Sequence, residues 1–380
     1  MSNNRKNEAK LDTHNLMSME EVETLIKTTC KAIWDDPKSA KIIPPLLMHS
    51  SPGVGKSSIA RQCAEDLGIQ FVDVRLAEME SVDIRGLPSV DEAKGEMHWN
   101  APDFWPRDPK SRGILFLDEL TAAPRDTAVA AYEIILDRKI GDFYKVPDGW
   151  YIVAAGNKTT DRAVAMTMSS ALANRFMHVE IEADPDQWVK WAQMNDVHPS
   201  VTGYIQYRPM NLFSMENENL ERGWPSPRSW ERVSEMCHIC KNDKLLRKMV
   251  FGRVGNRAGV EFMAFYKLNA KFANILDIMR NPDAKIVIPE QADQTYAMVS
   301  AMLYLLWRGT DAKDEAARIN GFFRICLELP SSFSSMAVVA AMQGNTKKAD
   351  PIFAEKLVKC PLFKDWRKKN VSTLNNKYSF

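Results

Sequence analysis

Apolar residues first recur at helical spacing in Val22, Leu25, Ile26 and Ile33, which predicts one buried face of an opening helix. Ser18 and Glu21 stand at the spacing of a capping box, in which each side chain satisfies a free backbone N–H of the first turn. Asp36-Pro37 ends the pattern. The residues before it, 1–17, are polar and without period, and read as a disordered tail. From Pro45 the pattern changes to short apolar runs separated by helical stretches. The runs are Leu46-Leu47-Met48, Phe71-Val72-Asp73-Val74, Ile114-Leu115-Phe116-Leu117, Tyr151-Ile152-Val153-Ala154 and Val179-Glu180-Ile181. Several are apolar throughout, as strands buried on both faces are. Their alternation with helices predicts an α/β fold with a parallel five-stranded sheet. Ile59, Cys63 and Leu67 give the helix after the first strand a single buried stripe. Beyond about Asp184 the strand signal stops, and helices follow with breaks at Trp224-Pro225-Ser226-Pro227 and Asn281-Pro282-Asp283.

A chain of 380 residues exceeds one typical domain and predicts two or three. The net charge of +1 gives no bulk argument for a nucleic-acid or membrane partner, although basic residues outnumber acidic ones from Thr346 onward. The longest apolar run, Tyr296 to Trp307, is short of the roughly 20 residues a membrane span needs, so no membrane is expected. A polar N-terminus without an apolar segment and six scattered cysteines without a disulfide framework point to a cytoplasmic protein. Cys237 and Cys240 form one CxxC around His238; with no second ligand pair nearby they read as ordinary thiols on a helix.

Candidate chemistry begins at Ser50-Ser51-Pro52-Gly53-Val54-Gly55-Lys56-Ser57-Ser58, between a strand and a helix. Gly53 and Gly55 let the backbone turn so that N–H groups face phosphate oxygens, and the helix that follows adds its positive end. Lys56 supplies charge to the β and γ phosphates, and the Ser57 hydroxyl is a ligand for Mg²⁺. Pro52, Gly53, Val54, Gly55, Lys56, Ser57 and Ser58 together are the expected nucleotide cradle. The usual pattern opens with glycine where this chain has Ser50. At Ile114 to Glu119 an apolar strand runs into Asp118-Glu119; Asp118 is the second expected Mg²⁺ ligand and nucleotide contact, and Glu119 the group that orients the attacking water. Asn157 ends the next apolar strand and is placed to donate to the γ phosphate. Arg175, in Ala171-Leu172-Ala173-Asn174-Arg175-Phe176, and Arg228, in Ser226-Pro227-Arg228-Ser229, offer fixed charge suited to phosphate oxygens.

In this order the motifs resemble those of AAA+ ATPases, and within them the MoxR-like group of the helix-2-insert clade. Two segments carry the finer resemblance: Leu87 to Arg107, with Trp99, Phe104 and Trp105, and Arg138 to Trp150, which is similar to the β-hairpin before the sensor strand, with Asp148-Gly149 as a hairpin-turn signal. The resemblance implies an AAA+ α/β nucleotide-binding core over 18–187, a helical lid over 188–270 and an all-α C-terminal extension over 271–380. It implies that Lys56 and Ser57 belong to Walker A, Asp118 and Glu119 to Walker B, and that Asn157 is sensor 1. It makes Arg175 the arginine finger reaching a neighbour's nucleotide, and Arg228 sensor 2. Arg125 and Arg162 are further cations expected near the same subunit interface, outside the main assignment. The expected activity is hydrolysis of ATP with Mg²⁺ in a homo-hexameric ring that acts on a protein client, with a von Willebrand A-domain protein as partner. No residue reads the base, so GTP stays open. The alternative is a nucleic-acid-dependent motor. Relatives with the same inserts include MCM helicases, and the basic segment from Lys347 to Lys377 carries Phe353, Phe363 and Trp366 among its charges, at spacings that also suit a helix packed on the core.

Overall fold

The computed structural model describes residues 15–158, 168, 170–215, 223–272, 274–308, 312–344 and 351–377. The chain divides into two compact units, Met1–Glu182 and Ala183–Phe380. The first unit runs β1 (Leu16–Met17), α1 (Met19–Asp35), β2 (Leu46–His49), α2 (Lys56–Leu67), β3 (Gln70–Arg75), α3 (Ser81–Arg85), β4 (Leu87–Asp91) and β5 (Glu96–Asn100). It continues with β6 (Gly113–Asp118), α4 (Arg125–Asp137), β7 (Lys139–Ile140), β8 (Tyr144–Lys145), β9 (Trp150–Gly156), α5 (Ser170–Ala173) and β10 (Met177–Ile181).

Its main sheet has six strands in the order β1-β10-β2-β9-β6-β3, all paired in parallel. The five runs read from the sequence are all in it. The sixth strand is a correction: Leu16 and Met17, read as part of the tail, pair with Glu180 and Ile181 at the sheet edge. A strand of two residues has no periodicity to betray it; residues 1–14 of that tail lie outside the described residues. β6 and β9 are central and buried almost throughout, which is why they read as unbroken apolar runs. Leu47, Leu115, Leu117, Ile152 and Ala154 pack on Ala130, Ala131 and Ile134 of α4. The capping box at Ser18 and Glu21 forms, with both bonds present.

Both insert segments contain antiparallel hairpins, β4–β5 and β7–β8. The second one turns at Gly141-Asp142-Phe143, not at Asp148-Gly149, which lies in the turn leading into β9. Gly141 takes the left-handed φ of 52° that the tight turn requires. Trp105 is fully buried and donates its indole N–H to Ile84 O, fastening the first insert to the core.

The second unit contains α6 (Pro185–Met194), α7 (Pro199–Tyr207), α8 (Pro227–Ile239), α9 (Asp243–Asn269), α10 (Ile275–Arg280), α11 (Ala292–Leu306), α12 (Ala312–Glu328), α13 (Ser331–Gln343), α14 (Pro351–Lys359) and α15 (Leu362–Lys377). Among the described residues it has no strand. Trp188, Tyr204, Trp230 and Phe262 centre one apolar cluster, and Met298, Phe322, Phe323 and Trp366 another. The aromatics of the basic segment belong to the second cluster. Phe353 meets Trp307 edge-on at 4.8 Å, and Phe363 and Trp366 pack on Phe323. They are core residues rather than a base-stacking platform, which removes the aromatic part of the nucleic-acid argument. Cys237 is buried in α8, and among the described residues no group of three or more His, Cys, Asp or Glu is placed to hold a metal ion. No helix among them is long and apolar enough to cross a membrane.

Candidate nucleotide site

β2 ends at His49, and Ser50 extends its ladder by one bond, its N–H donating to Gly156 O at 3.3 Å. The loop then turns through Gly53 at φ 80° and Gly55 at φ 124°, conformations that a side chain would strain. Gly55 caps α2 without a side-chain bond. Lys56 and Ser57 open that helix, both half-buried, and Ser58 is exposed. This is the geometry of an anion cradle at a helix N-terminus.

Lys56 ties the neighbouring strands together. Its ammonium donates to Ser50 O at 2.8 Å, to Ser50 Oγ at 3.1 Å and to Asn157 Oδ1 at 3.2 Å. The serine in place of the usual glycine is therefore a ligand of the loop lysine, with a buried hydroxyl that glycine lacks. The bond to Asn157 joins the phosphate loop to the end of β9.

Asp118 is the last residue of β6 and half-buried, and its Oδ1 accepts the Glu119 N–H at 2.9 Å. Burial holds its carboxyl above the usual carboxylate range; the Glu119 N–H and Lys56 oppose this, and the charges of Asp73 and Glu119 add to it. Glu119 is exposed and takes a left-handed φ of 57°, a strained backbone for a non-glycine residue. Thr121, two residues on, is buried and accepts the Asn157 N–H at 3.1 Å. Gly156 makes room for it, since a Cβ there would lie 2.6 Å from Thr121 Cγ2. Sequence reasoning missed Thr121; only its distance of two residues from the acidic pair could have drawn attention to it.

The structure thus brings Lys56, Asp118, Glu119 and Asn157 to the ends of three adjacent strands, β2, β6 and β9, where open parallel sheets form their crevices. Arg175 is exposed in the turn between α5 and β10 of the same unit, its N–H bonded to Leu172 O at 3.0 Å. Arg228 belongs to the second unit, exposed in the first turn of α8 behind the N-cap Ser226. Arg125 is exposed at the start of α4, and Arg162 lies outside the described residues.

Known proteins resemble this chain in part. The chain is 26% identical over 193 residues to midasin of Giardia intestinalis; the match takes in 48% of this chain and 4% of that protein's length. Among solved structures, a mutant of RuvB from Thermotoga maritima aligns with 68% of this chain and 78% of its own, at TM-score 0.38 and 14% identity. A putative ATPase from Cytophaga hutchinsonii aligns with 84% of this chain and 87% of its own, at TM-score 0.29 and 12% identity. Residues 46–179, which hold the whole strand-end constellation from Ser50 to Arg175, match the model of the ATPase family associated with various cellular activities, so the first unit carries an AAA-family ATPase domain with a P-loop nucleotide-binding fold.

Proposed function

We propose that the chain is a MoxR-like AAA+ ATPase that hydrolyses ATP with Mg²⁺ in a homo-oligomeric ring, six subunits being the expected number, and spends the turnover on remodelling or activating a protein client. The observation that carries the reading is the bond from Lys56 to Asn157 beside the Asp118-Glu119 strand end. It brings phosphate-loop charge, an amide and an acidic pair to one edge of one sheet, which an ordinary α/β domain has no structural need to do.

In this reading Pro52 to Ser58 wrap the triphosphate, with backbone N–H groups from Gly53 onward and Pro52, which has none, shaping the turn, and Lys56 exchanges Ser50 and Asn157 for the β and γ phosphate oxygens. Ser57 and Asp118 supply hard oxygen donors, which suit Mg²⁺. Burial and the neighbouring carboxylates raise the proton affinity of Asp118, and a divalent cation relieves that charge. When bound, the ion neutralises phosphate charge. Glu119 orients the water and takes its proton as the water oxygen bonds to the γ phosphorus. The bond from the γ phosphorus to the β–γ bridging oxygen breaks, and ADP and phosphate leave. Asn157 holds the γ phosphate or the water. Arg175 completes a neighbour's site, and such arginines are worth roughly 10³–10⁵ in rate in P-loop enzymes. Arg228 acts as sensor 2 on the lid.

A protein client is supported by the first insert. Pro88, Val90, Met97 and Trp99 share one face of the β4–β5 hairpin, with Val90 67%, Met97 59% and Trp99 41% exposed. Trp99 also stacks on the half-exposed Phe143 of the second hairpin at 6.0 Å. Apolar groups this exposed on two adjacent hairpins suit contact with unfolded or loosely folded polypeptide. A partner with a von Willebrand A domain is part of the same proposal.

The test is phosphate release from ATP and from GTP across a protein concentration series, for the wild type, Glu119→Gln and Arg175→Ala. Turnover that rises more than linearly with concentration and is lost in both variants supports a ring ATPase. Turnover that survives in both variants sinks the assignment of carboxylate and arginine.

A further inference from the structure

Immediately before Ser50 stands His49, and its ring meets His178 of the neighbouring strand β10. His49 Nε2 lies 3.0 Å from His178 Nδ1, with the two rings parallel to within 6°. The other side of His178 is occupied as well, its Nε2 lying 2.7 Å from Ala173 O. A carbonyl oxygen can only accept, so His178 Nε2 carries a hydrogen. One of the two facing nitrogens, His49 Nε2 or His178 Nδ1, carries the hydrogen that joins the rings. Burial, with the neighbouring His178, Lys56 and Lys158, pushes His49 down to about 4, so its ring is neutral near pH 7. The result is a continuous chain of hydrogen bonds from His49 through His178 to Ala173 O.

Ala173 is the last residue of α5, and its carbonyl also accepts the Phe176 N–H at 3.2 Å. Arg175 sits inside the turn that this bond closes. The Phe176 ring abuts His178 edge-on at 6.1 Å, so the turn is held to the same imidazole by a bond and by a ring contact. At the other end, Ser50 holds Lys56 by its carbonyl and its hydroxyl. A continuous path of side chains and two covalent steps, Lys56–Ser50–His49–His178–Ala173–Arg175, therefore crosses two strands within the first unit. Neither histidine is needed for the sheet ladder, which the backbone of β2 and β10 completes by itself.

We propose that His49 and His178 are positioning residues that set the turn carrying Arg175 relative to the phosphate loop of the same subunit. The proposal rests on the reading of Arg175 as an arginine acting on a neighbour's nucleotide. The subunit whose relay is broken is then not the subunit whose hydrolysis suffers. A relay that only stabilised the fold would weaken its own subunit's site as much as its neighbour's.

Mixed oligomers separate these cases. Glu119→Gln subunits keep Arg175 but lack the water-orienting carboxylate; Arg175→Ala subunits keep the carboxylate but lack the arginine. Each is expected to be inactive alone, and a one-to-one mixture to regain phosphate release. His178→Phe, which keeps a flat ring and loses both hydrogen bonds, is then added to one partner or the other. Placed in the Glu119→Gln subunit, it is expected to cut the regained turnover by roughly tenfold to a hundredfold, the cost of misplacing a catalytic group by about 1 Å. Placed in the Arg175→Ala subunit, it is expected to change turnover less than twofold. Binding of a fluorescent ATP analogue to each variant reports folding; where His178→Phe loses it, His49→Phe, which removes only the first bond, enters the same comparison. Equal loss in both placements, or none in either, overturns the relay. A parent mixture that regains no turnover overturns the trans-arginine reading, and the relay with it.

Discussion

Lys56 and Asn157 are held by groups that a motif search does not see, and their variants separate binding from chemistry. Thr121 Oγ1 is the acceptor for the Asn157 N–H, in a buried position. Thr121→Val keeps the shape and leaves that N–H without a partner, a loss of about 1–3 kcal/mol. On the proposed role of Asn157 at the γ phosphate or the water, the expected result is a fall of about tenfold in kcat with KM nearly unchanged, read from steady-state phosphate release. A raised KM at constant kcat would instead mean that the Thr121 bond serves nucleotide binding and not the chemical step. Ser50→Gly acts in the opposite sense. In the proposed cycle Lys56 gives up the Ser50 hydroxyl to reach phosphate, and removing that acceptor saves about 1 kcal/mol. Nucleotide affinity measured by calorimetry is expected to tighten about fivefold, and weaker binding would show that the hydroxyl orients the lysine productively.

At the scale of elements, one glycine pair tests how tightly the second unit is packed. Gly321 of α12 lies against α10, where an added Cβ would stand 1.9 Å from Met279 O. For Gly252 of α9 no atom of the described residues outside its own helix backbone lies within 4 Å of the same position. Gly321→Ala must push two helices apart, at about 1–3 kcal/mol. Gly252→Ala only trades a flexible residue for a good helix former, a gain of about 0.5–1 kcal/mol. Thermal denaturation is expected to shift down for the first and slightly up for the second; equal shifts would refute the close approach of α12 and α10. Contacts of this kind were not legible in the sequence, because Gly321 looks like any helical glycine until its neighbour is known. The strands were legible for a physical reason. β2, β6 and β9 are buried on both faces, so each is a continuous apolar run. The Leu16–Met17 edge strand has no length to carry a pattern, and Asp148-Gly149 drew the hairpin turn away from Gly141 by composition alone. In the site, Lys56 was legible from the glycine-rich loop before it, and Asp118 and Asn157 because each closes an apolar strand. Ser50 was noticed only as a departure, while Thr121, His49 and His178 carry no motif and become visible only through register.

Each unit contains a histidine that folding keeps neutral, and this gives the whole molecule an acid limit. In the first unit it is His49. In the second it is His198, which caps α7 by accepting the Ser200 N–H at Nδ1, 3.1 Å away. Burial pushes His198 down to about 4 from the ordinary 6.5, with His238 and Lys241 adding to the shift and Asp196 opposing it. A base whose affinity for protons is lower in the folded state is protonated first in the unfolded chain. Its contribution to stability is therefore complete above pH 6.5, falls as the pH drops through the window down to about 4, and is constant again below that. Protonation of His198 also removes the acceptor that caps α7. His198→Asn keeps a side-chain acceptor at the cap and has nothing to titrate. Carboxylates contribute equally to both proteins, so the difference between their thermal melting temperatures isolates the imidazole. That difference is expected to be constant from pH 8 to about 6.5, then to move in favour of the asparagine variant down to pH 4.5. A difference that stays flat across the window would mean that His198 titrates alike in the folded and unfolded chain, and that the cap tolerates its charge.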